Sequence, residues 1–151
     1  MIAALALLAW LYLLALHGRF WQSGPALAAM RPDEAPPVAV VVPARDEAEV
    51  IARSIASLLA QDYPGAFRVI LVDDGSRDGT AAIARALPGV ERLAVVHGAP
   101  RPAGWAGKLW AVHQGVAAGT EPLLLLTDAD IEHDPGHLRS EEHTSELQSQ
   151  R

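Results

Sequence analysis

The sequence predicts an α/β domain built on a doubly wound, mostly parallel sheet. Three observations carry that prediction. Short runs of Val, Ile and Leu alternate with segments of helical periodicity. The runs are continuously apolar, the texture of strands buried on both faces. Charged residues gather immediately after the runs, at the carboxyl edge where such sheets bind ligands.

The elements follow in order. Residues 38–42 (VAVVV) are β-branched and stop at Pro43, which predicts the first strand. Asp46 and Glu47 then open a helical pattern that puts Ile51, Ser54, Ile55, Leu58 and Leu59 on one face. It ends before the turn residues Asp62-Tyr63-Pro64-Gly65. A second strand over 68–72 delivers Asp73-Asp74-Gly75-Ser76. Asp78-Gly79-Thr80 caps a short helix reaching Leu87. A third strand covers 92–96, and a Gly/Pro-rich loop over 97–107 leads to a helix over 108–118. The fourth strand, 123–127, delivers Asp128-Ala129-Asp130.

The two ends differ from this body. Residues 2–16 contain no charged residue, and Gly18, Phe20 and Trp21 can extend the run to a membrane interface. A buried helix and a cleaved signal peptide ending near Ala26-Leu27-Ala28 are alternatives. No basic segment precedes the run, however, and it is apolar all round, so a membrane anchor over 1–21 fits best. Arg19 and Arg31 follow it, which predicts a cytoplasmic domain. Residues 22–37, ending RPDEAPP, read as a linker. From Arg139 the chain is polar and without periodicity. Back-translated, residues 139–149 are similar to a common short-read sequencing adapter. Residues 139–151 are therefore expected to be a non-native tail, and the domain over 38–138 to be an incomplete, N-terminal half.

Composition narrows the functions. The 151-residue chain is 50% apolar, enough for a substantial core. It has no cysteine, which excludes disulfides, thiolate metal sites and a cysteine nucleophile. A net charge of −6 argues against nucleic acid as a partner. Asp128 and Asp130, two apart at a strand end, repel each other unless a cation neutralises them, which suits Mg²⁺ or Mn²⁺ carrying phosphate ligands; a solvated turn is the alternative. Asp73 and Asp74 could form an ordinary turn, or accept from a base N–H or a ribose hydroxyl. Lys108, the single lysine among twelve basic residues, sits at a glycine-rich helix start suited to an anion. It is not a Walker loop, because Pro102 and Leu109 stand where glycine and Ser/Thr are required, and no G-x-G-x-x-G follows a strand. His97, His113 and His133 show no metal-ligand spacing.

In order, Val41-Val42-Pro43-Ala44-Arg45-Asp46-Glu47, Val72-Asp73-Asp74-Gly75-Ser76-Arg77-Asp78-Gly79-Thr80, Gly104-Trp105-Ala106-Gly107-Lys108 and Thr127-Asp128-Ala129-Asp130 resemble the family 2 glycosyltransferases of GT-A fold. The N-terminal segment and residues 104–111 (GWAGKLWA) are most similar to bacterial hopanoid-associated members. The resemblance implies a UDP- or GDP-linked sugar donor, with Pro43, Ala44, Arg45 and Glu47 lining the nucleotide and Asp73 and Asp74 near base and ribose. It places Lys108 near the phosphates or sugar, and Asp128 and Asp130 on a divalent cation at the diphosphate. It also implies inverting transfer to an acceptor, a hopanoid or other lipid, at the bacterial inner membrane, with the catalytic base beyond residue 138. A nucleotidyltransferase, a receiver-like signalling module and a non-catalytic nucleotide-binding module are the rival readings. The first would show a basic Gly-rich loop after strand one, where only Arg45 is present. In the second, the acidic pair would follow the first strand.

Overall fold

The structure, a computed structural model, describes residues 2–15 and 35–139. They fall into two compact units, Met1–Arg31 and Pro32–Arg151. In the first, helix α1 (Ile2–Ala15) is apolar all round, and Leu7, Leu8, Trp10 and Leu11 are exposed. Fourteen residues at 1.5 Å each make about 21 Å, against roughly 30 Å for a bilayer core. Among the described residues no helix is long and apolar enough to cross a membrane. The expected spanning helix is thus corrected to this shorter one: residues 16–21, which would lengthen it, lie outside the described residues. So do residues 22–34 of the linker and 140–151 of the tail.

In the second unit four strands form one parallel sheet: β1 (Val38–Ala44), β2 (Phe67–Asp73), β3 (Leu93–His97) and β4 (Leu123–Leu126). Their spatial order is β3-β2-β1-β4. The chain steps outward from β1 to β3 and then returns to the other side of β1. The order therefore reverses between β1 and β4, and a crevice opens at their carboxyl ends.

Helices cover both faces. Val40, Val42, Val69 and Leu71 point to the side where α2 (Ile51–Leu59) lays down Ile51, Ile55 and Leu58 and α3 (Thr80–Arg85) adds Ala84. Ala39, Val41, Ile70 and Val72 point to the other side and meet Ala111 of α4 (Gly107–Ala118). Burying each such Val, Leu or Ile contributes about 1.5–3 kcal/mol. Gly115 is where α4 rides closest to the sheet: a Cβ there would run into Val41 and come within 3.0 Å of Val72 Cγ2. Arg68 of β2 secures the end of α4, donating to the Ala118 carbonyl at 2.9 Å and pairing with Glu121 at 2.6 Å.

Two helices differ in extent from the sequence reading, and one strand in burial. The second helix begins at Ile51 rather than near Asp46, because residues 45–48 are held by the loop after β2. The third ends at Arg85, short of Leu87, and a 3-10 turn over Val90–Arg92 precedes β3. β1 and β2 have the expected two-sided burial, but β4 does not: Leu123 and Leu125 pack on the core while Leu124 and Leu126 are exposed. The reason is that α4 packs chiefly over β1 and β2.

Candidate functional site

A cavity of about 340 Å³ opens at the crevice between β1 and β4. The end of β1 supplies Pro43, Ala44, Arg45 and Glu47, and the end of β2 supplies Asp74. Helix α4 brings Gly107, Lys108 and Ala111, and the segment after β4 brings Asp128, Ala129 and Asp130. Every residue expected from the sequence to touch donor or metal lines it except Asp73. That carboxylate is buried, accepts from the Ser76 N–H at 3.0 Å and faces His97 Nδ1 at 3.6 Å, so it shapes the turn after β2. Its neighbour Asp74 instead faces the cavity and lies 3.6 Å from the Arg45 guanidinium. A shallower cavity of about 520 Å³ shares Arg45, Asp74 and Gly107 with the first and continues along Gly98–Arg101.

The loop after β1 is built by its neighbour. Asp46 has a left-handed φ of 55°, a conformation Asp tolerates better than most residues. It is held on both sides: its N–H donates to Ser76 Oγ at 3.0 Å and its carboxylate accepts from the Arg77 N–H at 2.8 Å. The Glu47 N–H donates to Thr80 Oγ1 and the Ala48 N–H to Asp78. The Thr80 hydroxyl and the Ala48 N–H hold the Asp78 carboxyl below its ordinary value of 3.8. These three clasp residues, Ser76, Asp78 and Thr80, position the site without lining it. From sequence alone the same string reads only as a turn and a helix start.

Lys108, the second residue of α4, extends its ammonium to 2.7 Å from Asp128 Oδ1. Asp130 is exposed on the same wall. Among the described residues no group of three or more His, Cys, Asp or Glu could hold a metal ion. Two carboxylates are nevertheless what Mg²⁺ or Mn²⁺ takes when phosphates and water complete its shell. The Lys108 contact shows that Asp128 Oδ1 is already turned toward a positive charge. Two carboxylates on one open cavity wall are a donor set that suits a divalent cation whose remaining ligands are phosphate or water.

The histidines do not join this site. His113 packs against the rings of both Trp105 and Trp110, which also touch each other, and His97 meets Arg85 at 2.9 Å. His133 is buried behind the Asp128-Ala129-Asp130 turn. Its ring bonds Thr127 Oγ1 at 3.0 Å and its N–H donates to Ser57 Oγ of α2. Burial, and then the charge of His137, push its pKa below 6.5. Gln61 extends the same attachment by donating to the Asp134 carbonyl and accepting from the Leu138 N–H. Residues 133–138 thereby fix the turn that carries the acidic pair.

The glycosyl transferase family 2 model matches residues 39–141. The succinoglycan biosynthesis protein ExoU of Rhizobium meliloti is 37% identical over 102 residues, covering 67% of this chain and 28% of its own length. A 4,4'-diaponeurosporenoate glycosyltransferase of Staphylococcus aureus is 35% identical over 92 residues, 61% of this chain and 23% of that protein. The chain therefore spans well under half the length of these curated relatives. Among solved structures, the mannosyltransferase PcManGT from Pyrobaculum calidifontis in complex with GDP-Man and Mn²⁺ superposes with a TM-score of 0.56 at 30% identity, over 74% of this chain and 32% of that one. TarS 1-349 of S. aureus, in complex with UDP, gives a TM-score of 0.61 at 24% identity over 73% of this chain and 32% of its own, a likeness of fold. With an α/β parallel sheet of the glycosyltransferase GT-A kind and a family match over most of its length, the chain belongs to glycosyl transferase family 2.

Proposed function

We propose that residues 38–138 bind a UDP- or GDP-linked sugar together with Mg²⁺ or Mn²⁺, as the donor half of an enzyme that transfers the sugar to an acceptor hydroxyl. The observation that carries this reading is the convergence of Arg45, Lys108, Asp128 and Asp130 on one cavity at the point where the strand order reverses. Similarity to a mannosyltransferase whose structure holds GDP-Man and Mn²⁺ supports it. In this reading the first N–H groups of α4 and the Lys108 ammonium bind the diphosphate, while Asp74 and Arg45 face base and ribose. Asp128 and Asp130 hold the cation, which neutralises charge on the departing nucleoside diphosphate. The acceptor hydroxyl attacks the anomeric carbon with inversion, and a carboxylate base outside residues 38–138 takes its proton.

The acceptor we propose is a lipid, a hopanoid among the candidates, and the protein is held at the bacterial inner membrane with this domain in the cytoplasm. The uncharged run over 2–16, followed by Arg19 and Arg31, supports that placement. A reporter fused after Pro37 checks it: activity only when exported contradicts it. For the donor site the test is thermal unfolding against UDP, GDP, CDP and ADP, each with Mn²⁺. A ligand at 100 times its Kd stabilises by about 2.7 kcal/mol, so at least one nucleotide raises Tm by more than about 5 °C. No shift with any of them contradicts the reading.

A further inference from the structure

We infer that Lys108 is an exchangeable counter-ion, which pairs with Asp128 and moves to the donor diphosphate when a divalent cation takes its place. The inference rests on the donor-site reading above and adds to it a coupling between cation and nucleotide.

Four observations carry it. The Lys108 ammonium lies 2.7 Å from Asp128 Oδ1, the distance of a charge-assisted hydrogen bond. Asp128 and Asp130 are the two carboxylates that the segment after β4 contributes to the cavity, so a cation held by that segment takes Asp128 as one of its two side-chain ligands. Lysine and a divalent cation cannot share that oxygen without facing each other's positive charge across a few ångströms. Finally, both partners are open to solvent, with side-chain exposures of 62% for Lys108 and 50% for Asp128. An ion pair that exposed is weak and mobile, so it suits a contact that is broken in every binding event.

The place Lys108 moves to is also defined. Its Cα is in the first turn of α4, beside Gly107, where backbone N–H groups favour an anion. A four-carbon stem carries the ammonium between the two positions without backbone movement. Arg45, the other cation on the cavity, lies nearer Asp74 at 3.6 Å. Without nucleotide, Lys108 competes with metal for Asp128. A diphosphate draws Lys108 away and frees that carboxylate, so each ligand strengthens the other, reciprocally.

The test is Mn²⁺ binding to the 151-residue chain, read from the electron paramagnetic signal of free Mn²⁺, with and without the nucleoside diphosphate that stabilises it best. In wild type the nucleotide tightens Mn²⁺ binding at least tenfold. Lys108→Met tightens Mn²⁺ binding without nucleotide about threefold, the worth of an exposed ion pair, and reduces the nucleotide's effect to a few-fold. Lys108→Arg retains the wild-type order. Unchanged or weaker nucleotide-free Mn²⁺ binding in Lys108→Met overturns the exchange, as does wild-type coupling in that variant, while the donor site stands. Failure of wild type to bind Mn²⁺ with any nucleotide overturns both.

Discussion

At the scale of single residues, the site depends on groups that never face the ligand. Thr80 is fully buried and its hydroxyl accepts from the Glu47 N–H at 2.9 Å while donating to Asp78. Thr80→Val keeps the shape and removes the acceptor, leaving a backbone N–H unpaired at a cost of about 1–3 kcal/mol. Urea unfolding should show that loss. Nucleotide affinity should fall with it, since the loop carrying Arg45 and Glu47 loses its fastening. Normal affinity in a destabilised Thr80→Val would show that the clasp serves the fold alone. Asp130 works in the opposite sense. It is exposed, so Asp130→Ala should change stability by less than about 0.5 kcal/mol, yet abolish the effect of Mn²⁺ on nucleotide binding. Retained metal dependence in calorimetry would assign the cation elsewhere.

At the scale of elements, close packing and burial decide. Ala is a better helix former than Gly by about 1 kcal/mol, so Gly115→Ala would stabilise an exposed helix. Here the added methyl meets Val41 and Val72, and overpacking of a well-filled contact costs about 1–3 kcal/mol. We expect a net loss in urea unfolding, and a gain would mean that α4 can lift off the sheet freely. The segment after β4 makes a pH-dependent contribution. His133 has its pKa lowered in the fold, so above about 6.5 it is neutral in both states and its contribution is intact. As pH falls below 6.5 the unfolded chain takes up the proton first, and stability drops until the lowered value is passed. Unfolding midpoints at pH 7.5 and 5 should differ more in wild type than in His133→Gln, and equal differences would remove His133 from the account.

These elements were readable to different degrees. The strands of the sheet were, because continuous Val, Ile and Leu runs admit few other environments, and so were the acidic ends that they deliver. The start of α2 was not: Asp46 and Glu47 have the composition of a helix start, but contacts from residues 76–80, some thirty positions away, hold them in a loop. Asp73 and Asp74 are adjacent and chemically identical, and only the register of β2 turns one inward to Ser76 and the other toward the cavity. The burial of His133 had no sequence signal, since it depends on Ser57 and Gln61 of a distant segment meeting residues 133–138.

At the scale of the whole molecule, the sheet ends at β4 with Leu124 and Leu126 exposed, and Leu109 of α4 and Ile131 are exposed as well. Apolar exposure of this kind favours association. With α1 covered by detergent, light scattering should show self-association that Leu124→Lys with Leu126→Lys reduces, and a monodisperse wild type would contradict this. The proposed function, however, lies in the crevice where the strand order reverses. Titrating the 151-residue chain calorimetrically with a nucleoside diphosphate, with and without Mn²⁺, tests it most directly. Binding should be at least tenfold tighter with Mn²⁺, and equal affinity in the two titrations would contradict a cation-dependent donor site.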